Sequence, residues 1–138
     1  MLCETVAVSL LSMHTPPLVL LVDDDPQIHD LFSTVLKKNG FGVVEAWNGK
    51  EGLEAAKKEN PDFILLDVLM PVMDGTRMLL ELKEDPALKN IPVLILTSLE
   101  GKPVDIKVAK ELGAVDFINK TSDPKDVVAR VKNTLNIK

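Results

Sequence analysis

Four kinds of reactive side chain each stand directly after an apolar run. Asp23-Asp24-Asp25 follow Leu18 to Val22, Asp67 follows Phe63 to Leu66, Thr97-Ser98 follow Val93 to Leu96, and Asn119-Lys120 follow Val115 to Ile118. Brought together, these would be a cluster of carboxylates with a hydroxyl and an amine. Two carboxylates about 4 Å apart repel by roughly 4 kcal/mol at an effective dielectric near 20, so such a cluster needs positive charge. Lys120 supplies some. A hard divalent cation bound through oxygen supplies more, and with few protein ligands and no EF-hand spacing Mg²⁺ suits the residues better than Ca²⁺. A carboxylate held beside Mg²⁺ and an ammonium is equipped to attack a phosphoryl group and become an acyl phosphate. Asp67 stands alone and suits the nucleophile; Asp23 and Asp24 come as a pair and suit metal holding.

Each residue also has a plainer role. Asp67 alone would serve as a strand-end cap, Thr97 as a β-branched filler, and Lys120 as a surface lysine. Acids at a helix start are favoured by the helix dipole, and for Asp25 that capping role is preferred. His29 reads as an exposed histidine of a first helical turn rather than a metal ligand, and the two histidines have no metal spacing. What the plainer roles leave unexplained is the conjunction of acids, hydroxyl and lysine at run ends in one chain.

The elements that would position these groups are legible from Pro17 onward. The runs at 18–22, 63–66 and 93–96 are almost uninterrupted, as in parallel strands covered on both faces. Those at 42–46 and 115–118 carry a polar residue each and read as edge strands. Helical patterns lie between them. After Asp25-Pro26, an N-cap and N1 pair, Ile28, Leu31, Phe32, Val35 and Leu36 fall on one stripe until Asn39-Gly40. Leu53, Ala56 and Lys57 mark a second helix ending at Asn60-Pro61. Met78, Leu79 and Leu82 mark a third over about Thr76–Glu84, and a weakly amphipathic fourth is expected around Val104–Leu112. Val127, Val128, Val131 and Leu135 mark the last. Five alternations of strand and helix predict an α/β fold, a doubly wound five-stranded parallel sheet. The strand order 2-1-3-4-5 places the most apolar strands centrally, with the site beyond the strands' carboxyl ends.

Composition bounds the rest. The 138 residues fit one domain, expected over 17–138 after a tail at 1–16; the formal charge is −5, and no basic patch with interleaved aromatics occurs, which argues against a nucleic-acid surface. The lone Cys3 excludes an internal disulfide framework and suits a reducing cytoplasm. The apolar residues before Thr15 have no preceding Lys or Arg and are too few to span a bilayer, so a tail is preferred over a weak signal peptide. No second domain is legible after the last helical pattern; a stand-alone domain and a piece of a larger protein both fit.

The chain resembles the receiver domains of two-component response regulators. The resemblance is carried by Leu21-Val22-Asp23-Asp24-Asp25, by Asp67-Val68-Leu69-Met70-Pro71-Val72-Met73-Asp74-Gly75, by Leu96-Thr97-Ser98, and by Gly113-Ala114-Val115-Asp116-Phe117-Ile118-Asn119-Lys120. It spans roughly Pro17 to Ile137, and its flavodoxin-like (βα)5 fold agrees with the pattern reading. It implies that Asp67 accepts a phosphoryl group from a phosphohistidine of a sensor kinase or phosphotransfer protein. Asp23, Asp24, Asp67 and the backbone carbonyl of Leu69 would hold Mg²⁺. Lys120 would bind the phosphate, Thr97 would move to hydrogen-bond it, and Phe117 would turn inward as the aromatic switch. Pro71 and Gly75 would shape the loop after the acceptor, and a downstream protein or fused output domain would read the result.

Three positions depart from the family's pattern. Thr121 stands where a proline usually follows the lysine, so the loop lacks that restraint. Phe117 lacks a tyrosine hydroxyl and would switch by packing alone. Leu69 and Leu99 lie two residues beyond Asp67 and Thr97, where polar side chains in other members influence attacking water. The hypothesis is that two leucines leave that water unoriented and give a long-lived phosphorylated state. Fast decay of phospho-Asp67, unchanged by polar substitution at either leucine, would contradict it. Among rivals, a Mg²⁺-dependent phosphohydrolase would want a general acid where Leu69 stands. A flavodoxin-like cofactor binder would want Ser, Thr or Gly where the three acids stand. A degenerate receiver acting as a protein-binding module fits poorly with Asp67, Thr97 and Lys120 all present.

Overall fold

Parallel strands covered on both faces need apolar side chains at consecutive positions, and three segments provide them. In this computed structural model, which describes residues 14–67, 75–97 and 110–137, β1 (Leu18–Val22), β3 (Phe63–Asp67) and β4 (Val93–Thr97) form the centre of the sheet and are buried almost throughout. β2 (Gly42–Ala46) and β5 (Asp116–Asn119) are the half-exposed edges. All pairs are parallel, in the order β2-β1-β3-β4-β5. The expected doubly wound order is therefore correct. β5 begins one residue later than the apolar run suggested: Val115 is half exposed and only its amide joins the ladder, to Val93 O.

Successive side chains of a strand point to opposite faces, and here they feed two separate layers. Leu20, Val22, Ile64, Leu66, Val93 and Ile95 pack with Ala56 of α2 (Gly49–Glu59) and with Met78, Leu79 and Leu82 of α3 (Gly75–Glu84). Val19, Leu21, Phe63, Leu65, Leu94 and Leu96 pack with Phe32 and Leu36 of α1 (Pro26–Lys38) and with Val127 and Val131 of α4 (Pro124–Leu135). Where α2 crosses β1 the fit is close: a Cβ added to Gly52 would lie 2.9 Å from Met78 Sδ and 3.0 Å from Val22 Cγ1.

Helix starts follow local chemistry. Asp25 caps α1 by accepting from Gln27 N at 2.9 Å, with Pro26 in the first turn, and Asp123-Pro124 repeats the device at α4. Asn48 caps α2. The stripe expected on α1 is rotated in the structure. Leu31 is 46% exposed and Val35 only partly buried, while His29 and Ser33 are buried beside Ile28, Phe32 and Leu36. The helix turns one flank toward β2, and that flank carries His29.

Ahead of β1, His14 N meets the Asp62 carboxylate, whose Oδ2 also accepts from Leu18 N at 2.7 Å. Residues 1–13 of the expected tail lie outside the described residues. So do Leu69, Pro71, Asp74, Ser98 and Leu99, and the expected helix around Val104–Leu112 up to residue 109. Among the described residues no helix is long and apolar enough to cross a membrane.

Candidate functional site

The sheet register decides which side chains meet. Val22 pairs with Leu66, so the next residues, Asp23 and Asp67, leave two neighbouring strands side by side. Asp67 pairs with Leu96 and Thr97 with Asn119, and Lys120 N continues the ladder to Thr97 O at 2.7 Å. The groups singled out by type thus gather at one edge: Asp23, Asp24, Asp67, Thr97 and Lys120. Asp25 points into its capping role instead.

Lys120 Nζ lies 2.8 Å from Asp23 Oδ2 and 3.0 Å from Asp67 Oδ2, bridging both acids. Asp23 is fully buried, Asp67 and Thr97 nearly so, and Asp24 is exposed. One carboxylate oxygen from each of the three aspartates lies within 4.8 Å of the others. Among the described residues, these three carboxylates with the Lys120 ammonium leave net negative charge. Burial pushes the Asp23 carboxyl above the usual carboxylate range, with the charge of Asp67 adding to the effect and bonds from Lys120 and Asp25 N opposing it. For Lys120, burial alone would lower the ammonium's pKa, but its hydrogen bonds and charge contacts with Asp23 and Asp67 override this and raise it. The donor set is all carboxylate oxygen, buried at one side and open at Asp24, and short of positive charge. That combination fits a hard divalent cation such as Mg²⁺ that keeps part of its water shell. The Leu69 carbonyl lies outside the described residues.

Thr97 Oγ1 donates to Ile118 O across a long 3.4 Å. Phe117, next along β5, is 37% exposed with the Lys110 ammonium 4.8 Å from its ring centroid, a cation–π arrangement. The aromatic ring is turned outward.

The site includes a group that reading the sequence placed wrongly. His29 is not an exposed first-turn residue: it is 2% exposed, and its Nε2 lies 2.8 Å from the backbone oxygen of Asp23. A carbonyl only accepts, so Nε2 carries the proton. The ring stacks on Trp47 with centroids 3.8 Å apart and planes at 22°, and Nδ1 lies 3.3 Å from Glu45 Oε2. The physical reason is the rotated α1 stripe, which faces position 29 toward the end of β2. A signal was available: the chain's only tryptophan directly follows the β2 run.

Comparison with known proteins gives a consistent picture. The family model described as "Response regulator receiver domain" matches residues 19–132. The hybrid signal transduction histidine kinase D of Dictyostelium discoideum is 36% identical over 92% of this chain, which spans 8% of that protein. The DNA-binding dual master transcriptional regulator RpaA of Synechocystis is 38% identical over 86% of this chain, which spans 49% of it. The chain thus spans about half, or much less, of these curated relatives. Among solved structures, a response regulator from Chloroflexus aurantiacus superposes with a TM-score of 0.82 at 35% identity, covering 88% of this chain and 98% of that one. A chemotaxis protein of Vibrio cholerae superposes with a TM-score of 0.78 at 31% identity, covering 85% and 97%.

Proposed function

The chain belongs to the response regulator receiver domain family, a signalling family rather than a class of turnover enzymes, and we propose that its phosphoacceptor is Asp67. The donor is a phosphohistidine on a sensor histidine kinase or phosphotransfer protein. A carboxylate oxygen of Asp67 bonds to phosphorus while the bond from phosphorus to the imidazole nitrogen breaks, its electron pair returning to that nitrogen. Carrying this reading is the Lys120 ammonium, shared between Asp67 and the fully buried Asp23. It holds the acceptor carboxylate still and stands ready to pair with a phosphate oxygen. Asp23, Asp24 and Asp67 would hold Mg²⁺, with the Leu69 carbonyl as a further ligand. When bound, that ion neutralises charge on the phosphoryl oxygens. The test is uptake of a single phosphate from a small phosphodonor, lost when Asp67 is replaced.

The switch follows from bond exchange. The new phosphate brings roughly 1.5 to 2 negative charges and three strong acceptors. Thr97 Oγ1 gives up its 3.4 Å bond to Ile118 O for a charge-assisted one to the phosphate. Its movement opens room for the Phe117 ring to turn inward, and a downstream protein or fused output domain reads the altered β4–β5 face. The domain acts in the cytoplasm, assists only its own phosphorylation and dephosphorylation, and does not itself contact nucleic acid.

In this scheme Lys110 opposes the inward turn, because its ammonium attracts the outward ring. An exposed cation–π pair is worth about 0.5–1 kcal/mol, so Lys110→Ala should raise the inward-to-outward ratio of Phe117 roughly two- to fivefold. Fluorine NMR of fluorophenylalanine-labelled protein reads that ratio. An unchanged ratio would remove Lys110 from the switch.

A further inference from the structure

Asp23 is hydrogen-bonded at its amide, its backbone oxygen and Oδ1, and ion-paired at Oδ2. Its amide donates to Ala46 O at 3.2 Å, its Oδ1 accepts from Asp25 N at 2.9 Å, and its Oδ2 faces Lys120 at 2.8 Å. The remaining atom, the backbone oxygen, is held by the side chain of His29. That oxygen belongs to the peptide joining Asp23 to Asp24, so the bond fixes the plane from which the Asp24 side chain departs. Asp24 is the exposed member of the acidic cluster and accordingly the one whose direction is least constrained by packing.

We propose that His29 is a positioning residue for the divalent-metal site, orienting the Asp23–Asp24 peptide through Nε2 while stacking on Trp47 fixes the ring. This rests on the reading that the acids bind Mg²⁺. The ring itself has little freedom. It is stacked on Trp47, flanked by the Glu45 carboxylate and closed off from solvent. Trp47 is secured in turn, since its amide donates to Glu51 Oε2 at 2.9 Å and Glu51 N donates to the Asn48 cap. A chain of defined contacts therefore runs from the start of α2 through Trp47 and His29 to the acidic pocket. Partners that orient metal ligands from the next layer out change affinity by roughly 10- to 100-fold when removed.

The experiment measures Mg²⁺ binding by isothermal titration calorimetry, with urea unfolding of the metal-free proteins alongside, for wild type, His29→Leu, His29→Gln and His29→Asn. Glutamine places an N–H near the position of Nε2, whereas asparagine is too short to reach the Asp23 oxygen and leucine offers no donor. The expected result is Mg²⁺ affinity weakened about tenfold in the Leu and Asn variants and restored to within about threefold of wild type by Gln. A purely structural role would lower the unfolding midpoint without this pattern in affinity. If the Leu variant does not fold, the Gln and Asn pair decides. Affinity in folded Leu or Asn protein within twofold of wild type would overturn the proposal, as would Gln binding no better than Asn. Wild type that binds no Mg²⁺ would remove the metal reading itself and this proposal with it.

Discussion

Incubated with Mg²⁺ and a small phosphodonor, the wild-type protein gains the mass of one phosphate, and Asp67→Asn gains none. Asparagine keeps the shape of the side chain at the end of β3 but offers no anionic oxygen to attack phosphorus, so the loss is chemical rather than structural. The fold should survive, because the change removes one of three clustered carboxylates while Lys120 keeps its partner in Asp23. Neither neighbour takes over. Asp23 is fully buried against Lys120 and held at its other atoms, and Asp24 has no comparable ammonium contact among the described residues. Intact-mass spectrometry provides the readout. No gain by wild type, or an undiminished gain by the variant, contradicts the assignment of Asp67.

The second large effect concerns Lys120. Lys120→Met should destabilise the metal-free protein by about 3 kcal/mol at neutral pH, because removing one partner of a buried ion pair leaves the other charge uncompensated. It should also abolish measurable phosphorylation. Of the two buried acids that Lys120 bridges, Asp23 is the more deeply buried, so adding Asp23→Asn to the Lys120 variant should recover part of the lost stability in urea unfolding. Equal stability of single and double variants would show that Asp23 is not what Lys120 neutralises. The pH dependence has a definite sign for each group. Asp23 has a raised pKa when folded, so its stabilising contribution is full below about pH 3.8 and is lost as pH rises through the raised folded value. Lys120 has a raised pKa too: its contribution is full below pH 10.5 and is lost as pH climbs through the higher folded value. Asp23→Asn should flatten the acid limb and Lys120→Met the alkaline one.

The parallel sheet was legible because its signal is redundant. Uninterrupted runs such as Phe63–Leu66 cannot be satisfied on a one-sided sheet, and the two polar-bearing runs had to be edges. The reactive residues were legible for a related reason, since an acid or lysine ending such a run must emerge where the strands end. Their mutual distances were not legible. The Lys120 bridge depends on the register of β1 against β3 and on the path after β5, which no local pattern records. The stripe on α1 misled because Leu31 and Val35 are apolar, yet the helix turns Ile28, Phe32 and Leu36 to the sheet and spends its other flank on His29 and Ser33. Hydrophobicity is silent when a histidine is buried to make one specific hydrogen bond.

Among the described residues, the sheet also divides the buried apolar side chains into two clusters that share no member. Phe32 and Val127 lie on one side, Met78 and Leu82 on the other, and substitutions so separated, without common neighbours, combine additively in free energy. Each layer can therefore accumulate changes without requiring compensation from its opposite. Within a layer neighbouring strands still constrain one another, and at the strand ends Asp23, Asp67 and Lys120 are coupled directly through the shared ammonium. Double-mutant cycles between residues on opposite faces of the sheet should, by contrast, read close to zero coupling.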